Sequence, residues 1–208
     1  MQNLRTALPK GRLGREISEA LKKSGFIQDN SFNSEDTRKL VFEDDISGMR
    51  YFWVKPFDVP VYVERGTADI GIAGKDILLE RSPDVYELLD LKAGKCRMAV
   101  AAKEGFIDDT GRALRVATEF PNIARKYYAE LGRDIDIIPL RGSLELAPVL
   151  GLSDVIVDIV ETGTTLRENN LHVINYFADL SARLLANKSA YKFKKSIIAE
   201  IMRRLSDD

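Results

Sequence analysis

Apolar positions recur along this chain in two periods, and the points where one gives way to the other mark its elements. Leu4 to Leu8 is a short apolar run broken by Pro9-Lys10-Gly11 and predicts a strand. Ile17, Ala20 and Leu21 then follow at helical spacing, with Gly25 placed to end the helix. Lys39 to Phe42 and Arg50 to Val54 read as a strand pair around a turn at Ser47-Gly48. Asp58 offers an N-cap for a helix carrying Val61, Tyr62 and Arg65. Asp69 to Ala73 predicts a short buried strand ending at Gly74, with a helix from Asp76 to Glu80.

The second half continues in this style without repeating the sequence. Strands are predicted at Met98 to Ala102, Leu114 to Ala117, Ile135 to Leu140, Val155 to Val160 and His172 to Phe177. Pro121 to Leu131 predicts a helix with proline in its first turn, where a missing N–H costs little. One amphipathic helix closes the chain, with a stripe of Tyr191, Ile198, Ile201, Met202 and Leu205 and with Ser189 as its cap. Alternating strands and helices predict an α/β fold with mixed, mostly parallel sheets. No low-complexity linker separates two halves, so two lobes joined by crossing strands are expected, with a ligand cleft between them.

Composition narrows the classes. A chain of 208 residues with 45% apolar content can bury a sizeable core. Lys and Arg number 31 against 32 Asp and Glu, a formal charge of -1 that lacks the basic footprint of a nucleic-acid binder. No apolar run approaches the roughly 18 residues that span a bilayer, and Met1 to Lys10 lacks the apolar core of an export signal. The single cysteine, Cys96, cannot form an internal disulfide, and no zinc-ligand cluster stands out. A cytoplasmic globular protein, binding neither membrane nor nucleic acid, is the expectation.

The most informative stretch is Val155-Ile156-Val157-Asp158-Ile159-Val160-Glu161-Thr162-Gly163-Thr164-Thr165. An apolar strand runs into a small, hydroxyl-rich turn, and a helix begins with Leu166-Arg167-Glu168. Such a turn directs successive backbone N–H groups outward at the positive end of a helix, which suits a phosphate monoester. Thr162, Thr164 and Thr165 add hydroxyl donors, and Gly163 lets the backbone approach a ligand. Asp158 and Glu161 lie at the strand end, where carboxylates accept from ribose hydroxyls or help hold magnesium. The plainer alternative is a strand–turn–helix joint in which Thr165 and Glu168 form a capping box. Known phosphate motifs are missing: Gly74-Lys75 is followed by Asp76, which is not a Walker A loop, and no G-x-G-x-x-G follows a strand.

A second loop, Leu8-Pro9-Lys10-Gly11-Arg12-Leu13-Gly14, also joins a strand to a helix. Its two cations suit nucleotide phosphates or a leaving pyrophosphate, against the default of a solvated basic turn. Arg50 and Lys55 flank another apolar strand and are candidates for the same cleft. Three features read as bland. Cys96 opens a strand without a histidine beside it in sequence, His172 sits at the edge of a strand, and Lys192, Lys194, Lys195, Arg203 and Arg204 form charged flanks on the closing helix.

Several of these motifs together resemble the ATP phosphoribosyltransferase family. Leu8 to Leu13 is similar to its opening signature, and so are Asp58-Val59-Pro60, Ala68 to Asp76, and Gly94-Lys95-Cys96-Arg97. The block from Gly142 to Asp154 leads straight into the Asp158 to Leu166 loop, as in that family. The resemblance runs from Arg5 to about Asn187. It implies a two-lobed fold like the type II periplasmic binding proteins, with domain I formed by residues 1–91 and 176–208 and domain II by residues 92–175. It implies phosphoribosyl pyrophosphate on Glu161, Thr162, Gly163, Thr164 and Thr165, with Asp158 near the ribose. ATP is expected on Lys10, Gly11, Arg12, Arg50, Lys55, Asp69 and Gly71, with Arg12, Lys10 and Arg50 as the catalytic cations. Magnesium would arrive with the phosphates, touching Asp158 or Glu161 if any side chain. Lys55 departs from the arginine expected before Pro56, placing a point charge where the family pattern has a bidentate fork.

The resemblance further implies the first step of histidine biosynthesis. Long members of the family carry a histidine-sensing domain after the catalytic lobes, and this chain ends at Asp208. The expectation is therefore a short form, acting in a hetero-oligomer with a regulatory subunit that resembles histidyl-tRNA synthetase. Two rivals remain: a small-solute-binding module of the same fold, and a phosphoribosyltransferase for another base.

Overall fold

In the computed structural model, which describes residues 4–27, 40–44 and 48–206, the chain divides into two units. The first comprises Met1–Leu78, Ser82–Gly94 and Ser181–Asp208, and the second Leu79–Arg81 and Lys95–Leu180. Strands and helices are numbered along the chain.

The first unit holds a six-stranded sheet of β1 (Leu4–Pro9), β2 (Val41–Asp44), β3 (Met49–Val54), β4 (Ile70–Gly74), β5 (Tyr86–Asp90) and β11 (Ala182–Ala186), in the order β2-β3-β1-β4-β11-β5. β1 runs parallel to both β3 and β4, whereas β11 is antiparallel to β4 and β5. Alternation along these strands serves two faces. Leu4, Leu8, Met49, Tyr51, Ile70, Ile72 and Leu184 meet α1 (Arg12–Lys23) and α8 (Lys195–Ser206) through Ile17, Leu21, Ile198 and Ile201. Ala7, Ala73 and Leu185 meet Val59 and Val63 of α2 (Val59–Glu64) on the other. β1 is thus an interior strand from which the chain passes to β3 on one side, then back across to β4 on the other. In open α/β sheets a ligand crevice lies outside the carboxyl ends of strands at such a switch.

The second unit carries β6 (Cys96–Lys103), β7 (Leu114–Thr118), β8 (Ile135–Pro139), β9 (Val155–Val160) and β10 (Leu171–Leu180), in the order β10-β6-β9-β7-β8. β9 is parallel to β7 and antiparallel to β6. One face of this sheet is filled by Ala99, Ala101, Ile156 and Val160 with Leu144 and with Ala147 of α5 (Leu146–Val149) and Leu166 of α6 (Thr164–Glu168). α4 (Pro121–Glu130) lies along β7 and β8. Its first turn is held by Glu80, the penultimate residue of α3 (Lys75–Arg81), whose carboxylate accepts from the amides of Asn122 and Ile123 at 3.0 Å.

Several local expectations are corrected. β5 and β11 were not among the predicted strands, because Tyr-Glu-Leu-Leu-Asp and Ala-Arg-Leu-Leu-Ala lack strand alternation and the second is rich in helix formers. Pairing makes both of them strands. The closing helix is two helices, α7 (Lys188–Phe193) and α8, broken at Lys194. The cap of α7 is Asn187, whose side chain accepts from Ser189 N and Ala190 N at 3.0 Å, rather than Ser189. Asp58 precedes α2 but makes no side-chain cap bond, since Pro56–Asp58 is a 3-10 turn that leads into the helix. Lys39 and Ser47 of the predicted strand pair lie outside the described residues, while β2 and β3 pair antiparallel from Val41 opposite Phe52 to Asp44 opposite Met49.

Candidate active site

All six residues expected to hold phosphoribosyl pyrophosphate line one cavity of about 200 Å³ in the second unit. Its floor is β6 and β9: Ala99 pairs with Asp158 and Ala101 with Ile156, so two methyl-sized side chains leave room above the sheet where larger ones would fill it. Its rim is the turn from Glu161 to Thr165, and Leu166 anchors that turn by burying its side chain in the core beneath. Glu145 completes the wall. The sequence reading missed Glu145 as a site residue, although it belongs to the family-like block from Gly142 to Asp154.

The turn keeps its donors available. Gly163 has φ 70°, a left-handed conformation that costs other residues about 1–2 kcal/mol. Thr162, Thr164 and Thr165 are exposed. Among the described residues, no hydrogen bond engages the amides of Gly163, Thr165 and Leu166. α6 starts after Gly163 without a side-chain cap bond, so Thr165 and Glu168 form no capping box. The plainer alternative for this stretch therefore fails on geometry.

Asp158 has an unusual setting for a carboxylate. It is half-buried on the cavity floor, and its Oδ1 accepts from its neighbour Ile159 N at 2.8 Å. No cation reaches it among the described residues. Burial pushes its carboxyl up to about 6; the Ile159 amide opposes that rise, and the charges of Glu145 and Glu119 add to it. A group so placed gains most from a ligand that brings hydroxyl donors or a cation.

The basic loop occupies the carboxyl end of β1. Lys10 is exposed and donates its amide to Val54 O at 2.8 Å, which sets it beside the end of β3 and so beside exposed Lys55. Gly11, at φ 92°, turns the chain into α1, and Arg12 is the first, exposed residue of that helix. Lys10, Gly11, Arg12 and Lys55 thus gather at one end of the sheet.

Three other expected ATP residues lie elsewhere in this unit. Arg50 stands five positions before Lys55 on β3, about 16 Å along the strand. There it pairs with Glu43 of β2, directly across in register. Asp69 is buried, accepting from Arg5 N and from Lys194 Nζ, each at 2.8 Å. Burial raises its carboxyl, but these bonds outweigh it and hold the group below its ordinary value. Gly71 lies inside the sheet, where a Cβ would come within 2.6 Å of Val63 and 2.9 Å of Val59. Its lack of a side chain admits α2. The structure gives Asp69 and Gly71 packing work.

The arrangement has close counterparts. A family model for ATP phosphoribosyltransferase matches residues 55–207, well over half the chain. An ATP phosphoribosyltransferase of Brachyspira hyodysenteriae is 55% identical over 202 residues, covering 97% of each chain. This chain belongs to the ATP phosphoribosyltransferase family. Another member of the family, from Clostridioides difficile, is 50% identical over 98% of this chain and 97% of its own. Among solved structures, the ATP phosphoribosyl transferase (HisG:HisZ) complex from Thermotoga maritima matches with a TM-score of 0.84 and 36% identity, covering 98% of this chain and 97% of that one. The periplasmic aliphatic sulphonate binding protein SsuA of Escherichia coli, 14% identical, matches with a TM-score of 0.61 over 100% of this chain and 72% of that one. At that identity the likeness concerns fold alone, and it is the two-lobed binding-protein fold expected from the sequence.

Proposed function

We propose that this chain transfers the 5-phosphoribosyl group of phosphoribosyl pyrophosphate to N1 of ATP, giving phosphoribosyl-ATP and pyrophosphate in the first step of histidine biosynthesis. The observation that carries the reading is the elbow after β9, where three exposed threonines and unengaged amides adjoin a half-buried carboxylate without a cation. In this scheme Thr162, Gly163, Thr164 and Thr165 hold the 5-phosphate, and Asp158 accepts from the ribose hydroxyls. The N1 lone pair forms the bond to ribose C1 as the bond from C1 to the pyrophosphate oxygen breaks, with inversion at C1. The nucleophile is a neutral ring nitrogen, so the demands on the protein are alignment and stabilisation of the departing charge.

Lys10, Arg12 and Lys55 are the cations proposed for the ATP phosphates or the leaving pyrophosphate, with Gly11 shaping the loop. Arg50, Asp69 and Gly71 do not enter this scheme, because the first is ion-paired at the far end of β3 and the others are buried in packing. Magnesium fits as a passenger on the substrate. No group of three or more metal-ligating side chains occurs among the described residues, whereas the acidic surroundings of Asp158 suit a cation brought by a diphosphate. Asp158 and Glu161 are the residues that would meet it, and the metal would share the leaving-group charge.

The Thermotoga maritima match, a complex of two different chains, supports a hetero-oligomer with a regulatory subunit resembling histidyl-tRNA synthetase. A cytoplasmic location follows from the biosynthetic role proposed; no described helix is long and apolar enough to cross a membrane. The test is ultraviolet absorbance of phosphoribosyl-ATP with and without that partner, alongside pyrophosphate release. Product from neither sample, with both substrates shown to bind, would make the chain a binding module instead.

A further inference from the structure

Leu166 anchors the elbow from below, and the next residue grips it from outside. Arg167 donates from Nη1 to Thr162 O at 3.0 Å and from Nη2 to Thr164 Oγ1 at 3.1 Å. Its backbone amide donates to Gly163 O at 3.1 Å. One residue therefore holds three successive residues of the elbow. The guanidinium lies so close to Gly163 that a Cβ there would be 3.3 Å from Nη1.

These bonds also set the direction of the hydroxyls. Thr162 Oγ1 and Thr164 Oγ1 are 3.1 Å apart, and on distance alone either is the donor. Because Thr164 Oγ1 already accepts from a cation, its own hydrogen is best spent on Thr162 Oγ1, which also lies 3.4 Å from Thr164 N as an acceptor. Thr162 is then left to donate outward, at the end of a chain polarised by the guanidinium. A tetrahedral dianion wants that orientation.

We infer that Arg167 is a positioning residue for phosphoribosyl pyrophosphate, fixing the elbow and turning the Thr162 hydroxyl toward the 5-phosphate without belonging to the ATP side. This rests on the elbow being the 5-phosphate seat. As an exposed pair the contact adds little to overall stability. Its effect falls on a loop that must be preorganised to bind.

Calorimetric titration of the full chain separates the two ideas. Ribose 5-phosphate probes the elbow and magnesium-ATP probes the basic loop. Arg167→Ala is expected to weaken ribose 5-phosphate about tenfold, equivalent to about 1.4 kcal/mol, with ATP unchanged. Arg167→Lys, which keeps a donor but not the fork, should fall between the two. Thr164→Val should cost about as much as Arg167→Ala, and the double variant little more, because both break one chain. Equal affinity of wild type and Arg167→Ala for ribose 5-phosphate overturns the inference while leaving the seat in place. So does a parallel loss of ATP binding in both Arg167→Ala and Arg167→Lys, or full additivity with Thr164→Val. A wild-type chain that binds ATP but not ribose 5-phosphate removes the seat itself, and the inference with it.

Discussion

Replacing Asp158 by asparagine should make the protein more stable and less active, and the stability gain should depend on pH. In the fold the carboxyl is raised from 3.8 to about 6, because burial disfavours its ionised form. At about 1.4 kcal/mol per pH unit, holding it ionised costs up to about 3 kcal/mol at neutral pH. The sign follows from proton counts. Between about pH 4 and pH 6 the folded chain keeps a proton that the unfolded chain has lost, so stability falls as pH rises through that window. Above it the penalty is complete, and below it there is none. The carboxamide has nearly the same shape, still accepts from Ile159 N, and carries no charge, but its NH2 needs partners on the cavity floor. The expected net gain for Asp158→Asn is about 1–3 kcal/mol at pH 7.5, shrinking toward zero at pH 4. Urea unfolding followed by circular dichroism, for both proteins at several pH values, measures the difference directly. Turnover should fall meanwhile, since an acceptor for the ribose hydroxyls is lost. A variant less stable than wild type at pH 7.5, or a gain of equal size at pH 4 and pH 7.5, would refute the account of Asp158 as a desolvated, uncompensated charge.

Binding should draw the same proton off. Titrating magnesium–phosphoribosyl pyrophosphate near pH 6, in buffers of different ionisation enthalpy, should reveal proton release that Asp158→Asn reduces, the remainder coming from the ligand's own 5-phosphate. Gly163→Val places a branched side chain at φ 70° and against the Arg167 guanidinium; it should lose phosphoribosyl pyrophosphate binding in calorimetry, and normal binding would exclude the elbow as the seat. Arg12→Ala is expected to lower kcat by roughly 100- to 1,000-fold with the fold intact by circular dichroism, as for a donor acting on departing charge. Asn187→Ala removes the cap of α7 and the bond from its Nδ2 to Val63 O, and should cost about 1–2 kcal/mol in urea unfolding.

What the sequence disclosed and what it hid divide along a physical line. The elbow was legible because its signal is local: an apolar run, then hydroxyls and a glycine within a few positions, and all six named residues do line one cavity. The placement of Lys10, Gly11 and Arg12 in one loop between a strand and a helix was legible for the same reason. Arg50 was not, since its charge and its place beside an apolar strand are local, but the distance from Lys55 and the partner across the sheet follow from strand direction and register. Asp69 and Gly71 sit within a family-like run, yet whether such residues face a ligand or a neighbouring helix is decided by what packs on them. Arg5 and Lys194, which hold Asp69, lie 64 and 125 positions away. β11 is the plainest case. Nothing in Ala182 to Ala186 asks for a strand; its place between β4 and β5 does.

That place bears on how the molecule is made. β11 lies inside the first sheet, and Ile198 and Ile201 of α8 close the same core as Leu4 and Leu8. During synthesis the opening strands must therefore wait for Ala182–Ala186 and then α8 to leave the ribosome before their sheet and core are complete. Lys95–Leu180, by contrast, carries all five strands of its own sheet in one uninterrupted stretch. The later-made half is thus set to mature first, and the amino-terminal half to finish last.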